Sequence, residues 1–383
     1  MTTAIAFAAL AAWFYLIVGR GFFWLARERD DRGEAPAPGE GWPSVVAVVP
    51  ARDEADVVAR SIASLLAQDY RGDFHVILVD DGSADGTAAT AMGVADPGRR
   101  LAVIAGSPLP LGWTGKLWAV HQGIRHASGG RRRPEFLLLT DADIAHAPDN
   151  VRRLVERARA GGLVLTSLMA RLTVETWAER LLIPAFVFFF AMLYPFAIVN
   201  DPRRRAAAAA GGCMLVRAAA LEAAGGIEAI AGEIIDDCAL AALMKRQGPI
   251  WIGLTLRARS LRPYDSLGAI QRMVSRSAFA QLRFSPLLLV LAVAGMALLY
   301  IAPPILALFG TGTGRLLGLT AWLVMAASIQ PTLRFYRLGP WWGVALPLVG
   351  AFYAAFTVIS AIEFWRGRGG MWKGRAQAAT ASP

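Results

Sequence analysis

The sequence is poor in charge, cysteine and histidine. Of its 383 residues only 18% are charged, against about a quarter in soluble globular domains, which excludes an ordinary soluble protein. Two cysteines, Cys213 and Cys238, are too few for a disulfide framework and lack any metal-ligand spacing. Both are therefore expected to be reduced packing residues. The histidines, His75, His121, His126 and His146, have neither metal-type nor triad spacing. Only His146 stands near the acids of TDAD (140–143), three residues after Asp143. Acid is scarce towards the carboxyl end: residues 266–285 carry three Arg and no acid, and residues 286–383 carry seven bases against Glu363 alone.

What is abundant is apolar surface, with 55% hydrophobic residues and a mean hydropathy of +0.44. The formal net charge is +10, of which residues 1–41 contribute −1, 266–285 +3 and 286–383 +6, leaving +2 for 42–265. A nucleic-acid binder needs its basic excess on a folded reading surface. Here the excess lies within or beside the most apolar third, so no nucleic-acid partner is expected and the charge reads as juxtamembrane, facing anionic headgroups.

Ala4 to Leu25 is an apolar run with Arg20 as its only charge, long enough for a bilayer core of about 30 Å. A cleaved signal peptide would carry a basic start, which is missing, and the run continues into Trp13, Phe14, Tyr15, Phe22, Phe23 and Trp24. A retained anchor is the better reading. Arg20, Arg27, Arg29 and Arg32 lie at its end or beyond, so the positive-inside rule puts the next part of the chain in the cytosol.

After a linker containing Pro36, Pro38 and Pro43, the apolar segments 44–50, 74–80, 101–106 and 135–141 read as buried strands. Helical stretches near 54–68, 84–93, 115–128 and 148–160 alternate with them. This alternation predicts an open, mostly parallel α/β sheet with its ligand outside the carboxyl ends of the strands. Residues 181–200 form a second apolar run, broken by Pro184 and Pro195. Because it falls between two acidic motifs expected in one site, it reads as a re-entrant or interfacial helix pair rather than a span. Over 267–284, at about 100° per residue, Arg272, Arg276 and Arg283 fall within about 40° of each other, opposite Leu267, Ile270 and Val274, which predicts an interfacial helix. Runs 286–309, 315–333 and 341–363 each suffice for a span.

Three acidic motifs carry the chemistry. VDDGSADGT (79–87) ends a strand. It fails as a calcium loop because position twelve, counted from Asp81, is Met92. Asp80 and Asp81 there suit either a ribose or base contact or an Asx-type turn. TDAD (140–143) also follows a strand, and Asp141 and Asp143 can hold one hard divalent cation that a diphosphate shares. In GEIIDDCALAALMKRQG (232–248), Asp236 and Asp237 start a helix that ends in Lys245, Arg246 and Gly248. Helix-end preferences alone account for them, while a catalytic reading adds that neighbouring carboxylates raise each other's proton affinity, favouring a base near neutral pH. GWTGKLWAV (112–120) is not a P-loop, since Pro110 and Leu117 occupy required positions, yet Lys116 at a helix start can meet a phosphate.

In order along 44–260, VVPARDE (48–54), VDDGSADGT, GWTGKLWA, TDAD, GGCMLVR with AAGG (211–226) and IDDCAL (235–240) resemble the family 2 glycosyltransferases with a GT-A fold. Together with an amino-terminal anchor and carboxyl-terminal spans, the chain is similar to membrane enzymes that include ceramide glucosyltransferases. It most resembles the bacterial hopene-associated glycosyltransferases, through MVSRSAFAQLRFSPLLL (273–289) and GGMWKGR (369–375).

The resemblance implies that Pro50, Arg52 and Glu54 border the nucleotide, with Asp80 or Asp81 on its uracil or ribose and Lys116 near the diphosphate. Asp141 and Asp143 would be the DxD element holding Mg²⁺ or Mn²⁺, with Asp141 also beside the donor. Asp237 would be the base, and Asp236 replaces the family's usual Glu. The family's QxxRW element is not matched: Gln271 is followed by Arg276 and Ser277, which argues against a processive polysaccharide synthase. It leaves Arg272 and Arg276 as phosphate or acceptor partners only by position.

The expected protein is thus a Rossmann-like, GT-A cytosolic domain mounted in a bacterial inner membrane. Its parts are an anchor (1–29), linker (30–43), catalytic domain (44–265), interfacial helix (266–285), transmembrane bundle (286–365) and basic tail (366–383). Its expected activity is inverting, metal-dependent transfer from a nucleotide sugar, a UDP-hexose, to a hydroxyl of a membrane lipid such as a hopanoid. The rival from another class is a transporter or lipid-binding scaffold with a degenerate nucleotide domain. It would be expected to place ionisable groups inside its spans, where only Glu363 comes close.

Overall fold

The computed structural model describes residues 2–32, 41–130 and 133–369, and the backbone of 371–372 and 375–376. Much of the linker, including Pro36 and Pro38, and Lys373 of the basic tail lie outside the described residues.

Helix α1 (Thr2–Gly19) leads to a sheet built from β1 (Val45–Ala51), β2 (Phe74–Asp80), β3 (Leu101–Ala105), β4 (Phe136–Leu139), β5 (Ile144–His146), β6 (Leu165–Arg171), β7 (Met214–Arg217) and β8 (Ile250–Ser260). The spatial order is β3-β2-β1-β4-β7-β6-β8-β5. β1 pairs parallel with β2 and β4, as runs of Val, Ile and Leu buried on both faces require. β2 also pairs parallel with β3, which is not the buried strand expected but a half-buried one, because it lies at the sheet edge. β7 runs antiparallel to β4 and β6, β8 parallel to β6, and β5 antiparallel to β8. The sheet is therefore mixed, and parallel pairs prevail in the half that precedes TDAD.

Helices α2 (Val58–Leu66), α3 (Thr87–Met92), α4 (Gly115–Ser128) and α5 (Asn150–Ala160) lie where the sequence alternation predicts them. On α5 the buried residues Val151, Leu154, Val155 and Ala158 recur at helical spacing, which fixes the face it presents to the sheet. α4 approaches β1 closely because position 123 is glycine: a Cβ there would lie 2.4 Å from Val48 Cγ1. That contact sets the depth at which Lys116, in the first turn of α4, enters the site.

The run broken by Pro184 and Pro195 forms α6 (Trp177–Leu193) and α7 (Phe196–Asn200), and α8 (Ala218–Ala223) and α9 (Asp236–Lys245) follow. α6 starts in a capping box of Thr176 and Glu179, and its buried face includes Leu182, Val187 and Phe188. It rests on the helices that come after the acidic motifs: Tyr353 donates to Leu182 O at 2.9 Å, and Phe189 meets the rings of Tyr300 and Tyr353.

Among the described residues, four helices are long and apolar enough to cross a membrane: Thr2–Gly19, Pro286–Phe309, Gly312–Phe335 and Pro340–Trp365. α1 is bound to the later ones, since Trp13 Nε1 donates to Leu299 O at 2.8 Å and its ring meets Tyr300 edge-on. Pro303 and Pro304 do not break their helix. A π-helical turn, Ala297–Ile301, precedes the segment that holds them, and such turns absorb backbone bonds that proline cannot make.

The predicted single helix over 267–284 is instead two, α10 (Leu267–Ser275) and α11 (Ala278–Gln281). The cause is a side chain from the last apolar helix. Ser360 Oγ accepts from Phe279 N–H at 3.0 Å and donates to Ser275 O, inserting itself where an unbroken helix would join those two backbone groups.

Candidate active site

The site lies at the carboxyl ends of β1, β2 and β4. β1 leads into the turn that carries Arg52 and Glu54, and β2 ends at Asp80. These two turns are stitched together. Asp53 N–H donates to Ser83 Oγ at 3.0 Å, Ala84 N–H to Asp53 Oδ1 at 2.9 Å, and Glu54 N–H to Thr87 Oγ1 at 2.8 Å. Ser83 hydroxyl donates to Asp80 Oδ1. Asp81 is buried beneath Arg52, whose Nη1 lies 3.8 Å from its Oδ2. Of the two adjacent acids, Asp80 is thus the one at the rim of the cleft and Asp81 the one built into its wall.

TDAD forms the turn between β4 and β5. Ala142 points into the core while Asp141 and Asp143, two residues apart, face the cleft. Lys116 Nζ lies 2.9 Å from Asp141 Oδ1 and 3.0 Å from Asp236 Oδ2. Lys116 and Asp141 share this wall with Pro50, Thr140, Gly211 and Asp236. Burial acts against the ammonium charge of Lys116, but the carboxylates of Asp141, Asp236 and Asp237 outweigh it and raise its pKa. Burial, followed by the charge of Asp143, raises that of Asp141 against the pull of Lys116.

Asp236 and Asp237 begin α9 (Asp236–Lys245). The Asp237 carboxylate is aimed by two backbone donors, Gly211 N–H to Oδ2 at 3.0 Å and Cys238 N–H to Oδ1 at 2.7 Å. Those bonds and Lys116 favour the ion. Burial and the charge of Asp236 work more strongly the other way, pushing its pKa up to about 6. A carboxylate so placed is mostly ionised at neutral pH and still basic enough to take a proton.

Two site residues escape the motif reading. Arg262, just past β8, contacts Oε2 of Glu54 through Nη2 and Oδ2 of Asp143 through Nε at 3.2 Å. Tyr264 lies close by: burial and the charge of Asp143 push its phenol up to about 12, against Arg276 and Arg262. Arg276 and Arg272 are both exposed, on or just past α10, and of the two only Arg276 lies close enough for its charge to act on Tyr264. The strand β8 that delivers Arg262 has no acidic motif at its end, and its sequence, IWIGLTLRARS, offered the only signal.

The segment carrying Arg262 is anchored on both sides. Leu261 N–H donates to Asp143 O at 2.7 Å, and Tyr264 N–H to Glu179 Oε1 at 2.8 Å. His146 does not join the acids. It is buried between Thr140 and Asn150, at 3.0 and 2.8 Å, and burial lowers its pKa to about 4. It supports the β4–β5 turn as a neutral ring.

Residues 46–225 match the family described as glycosyl transferase family 2. The succinoglycan biosynthesis protein ExoO of Rhizobium meliloti is 36% identical over 120 residues, covering 31% of this chain and 31% of that protein. The match therefore spans about a third of that relative's length. An N-acetylglucosaminyltransferase of Bradyrhizobium elkanii is 31% identical over 144 residues, covering 36% of this chain and 73% of the relative. Among solved structures, the mannosyltransferase PcManGT of Pyrobaculum calidifontis, in complex with GDP-Man and Mn²⁺, has a similar fold. Its TM-score is 0.57 at 20% identity, covering 96% of this chain and 99% of that one.

Proposed function

The chain belongs to glycosyl transferase family 2, and on that premise we propose that it moves a sugar, with inversion, from a UDP-hexose to a hydroxyl of a membrane lipid. The observation that carries the reading is the Asp237 carboxylate, aimed by two N–H groups and raised to about 6 beside a lysine shared by two further acids. Asp237 takes the proton of the acceptor hydroxyl as the oxygen attacks the anomeric carbon, on the face opposite the departing diphosphate. Lys116 meets the charge that develops on that diphosphate. Asp80 and Arg52 border the nucleotide.

Asp141 and Asp143 fit Mg²⁺ or Mn²⁺, because carboxylate oxygens are the hard donors such ions take. Among the described residues no group of three His, Cys, Asp or Glu gathers to cage a metal. Two carboxylates, with phosphate oxygens and water for the rest, are the usual set for an ion that arrives with a nucleotide. Charge favours it too: Glu54, Asp141, Asp143, Asp236 and Asp237 meet Lys116 and Arg262 through these contacts, acids outnumbering bases, and a diphosphate adds more negative charge. When bound, the ion supplies electrostatic stabilisation of the leaving group. The GDP-Man and Mn²⁺ in the Pyrobaculum structure support the same pairing of nucleotide sugar and metal.

A lipid acceptor is supported by the four apolar helices and by the bonds that tie α6 and α10 to the last of them. The basic residues after α1 favour a cytosolic catalytic domain in a bacterial inner membrane. The hopanoid assignment rests on the resemblance of residues 273–289 and 369–375.

The test is to incubate the purified full-length protein with Mg²⁺ or Mn²⁺, a panel of UDP-sugars and a lipid extract, and read mass gain of one sugar on a lipid. Asp237→Asn is expected to lose about 10²–10⁴-fold in turnover while still binding donor. Turnover that survives D237N, or a water-soluble glycan as the only product, would overturn the proposal.

A further inference from the structure

Arg262 sits in a segment whose main chain is fixed on either side, by Leu261 N–H on Asp143 O and Tyr264 N–H on Glu179. Its side chain, in contrast, reaches across the cleft to two acids that the sequence separates widely. The Glu54 contact spans 208 residues and the Asp143 contact 119. The carboxylates it grips are shielded, with Glu54 11% and Asp143 19% exposed, so the attraction is screened less than at an open surface.

A guanidinium and a divalent cation compete for the same Asp143 oxygen, and their like charges repel at that distance. Arg262 differs here from Lys116, whose ammonium lies between Asp141 and Asp236. The planar fork of an arginine suits it to bridge two carboxylates, which a lysine ammonium does less well.

Building on the metal-dependent reading above, we propose that Arg262 is an exchangeable counter-ion: it holds Asp143 while no metal is bound and yields that carboxylate when a metal arrives with the nucleotide. Arg262 keeps Glu54 and turns its released N–H groups to the phosphates. Metal and diphosphate therefore bind cooperatively, each easing the other's entry, as linkage requires. Metal without nucleotide binds weakly because it must displace Arg262 with nothing to receive it.

The test measures binding rather than turnover. Mn²⁺ is titrated into the full-length protein in detergent, with and without UDP, and free Mn²⁺ is read by electron paramagnetic resonance. The wild type is expected to bind Mn²⁺ weakly alone and more tightly with UDP. Arg262→Lys retains the charge but loses the fork. It is expected to bind Mn²⁺ alone about three- to tenfold more tightly, with a smaller gain from UDP. Unchanged or weaker Mn²⁺ binding in R262K overturns the proposal and makes Arg262 a fixed support.

Should R262K not fold, Glu54→Gln carries the test. With its second anchor weakened, Arg262 commits to Asp143, and Mn²⁺ alone binds about threefold more weakly; equal or tighter binding overturns the proposal. A wild type that binds no Mn²⁺ even with UDP instead sinks the metal reading itself, an outcome separate from the others.

Discussion

The backbone N–H of Gly211 donates to Oδ2 of Asp237 at 3.0 Å. One residue in the turn before β7 thus aims a carboxylate at the start of α9, and the same glycine backs onto Lys116. A Cβ at position 211 would lie 3.1 Å from Lys116 Nζ and 3.5 Å from Asp237 Oδ2.

Gly211→Ala should therefore damage the site more than the fold. Lys116 is the far end of a flexible side chain and can give way, so the cost in stability is small. Its displacement from Asp141 and Asp236 is expected to lower kcat about tenfold, since misplaced groups lose oriented contacts. Thermal unfolding and steady-state kinetics on the same preparation check both halves.

The acid limb of the pH profile is expected to follow Asp237, the proposed base. Its pKa is raised to about 6, and the base must be ionised to act. Activity is expected on a plateau above that pH, falling about tenfold per pH unit below it. Asp236→Asn removes a neighbouring like charge, which favours ionisation, so the limb moves to lower pH. A profile of kcat/KM for both proteins tests the sign; a limb that moves to higher pH contradicts it.

Lys116→Gln leaves Asp141 and Asp236 without their shared cation. Turnover is expected to drop about 10²–10³-fold, as for loss of one charge-stabilising donor. UDP affinity, measured by calorimetry, falls with it. Retained UDP affinity would remove Lys116 from the diphosphate's surroundings.

Glu179 ties two segments together. Thr173 donates to its Oε1, Glu175 and Thr176 N–H donate to its Oε2, and Tyr264 N–H donates to Oε1. Burial pushes its pKa up, but these bonds prevail and hold it below the usual value. Glu179→Ala strands several part-buried donors and is expected to cost about 1–3 kcal/mol, read as a lower apparent Tm. By releasing the segment that holds Arg262, it should also weaken Mn²⁺ binding with UDP.

Much of this was legible in the residues alone. The strands at 44–50, 74–80 and 135–141 were readable because buried parallel strands need continuous Val, Ile and Leu, whereas the one at 101–106 is a half-buried edge strand. The acidic motifs were readable because sheets of this class present their ends to ligand. Lys116 was readable from its position at a helix start. Local pattern determines such features, since strand, helix and terminus each depend on neighbours a few residues away.

What pattern could not decide is who meets whom. Arg262 reaches Glu54 and Asp143 only because β8 pairs with both β6 and β5, which brings its end beside TDAD. The single helix expected over 267–284 is broken by Ser360, 81 residues beyond Phe279. His146, three residues from Asp143 in sequence, turns into the core because Thr140 and Asn150 complete its hydrogen bonds there. The sequence by itself determined the strands and helices that alternate up to residue 160 and which of those strand ends carry acid. The tertiary structure alone assigned each acid its counter-charge, because partners for buried charge are chosen by sheet order and packing across distances that no local period records.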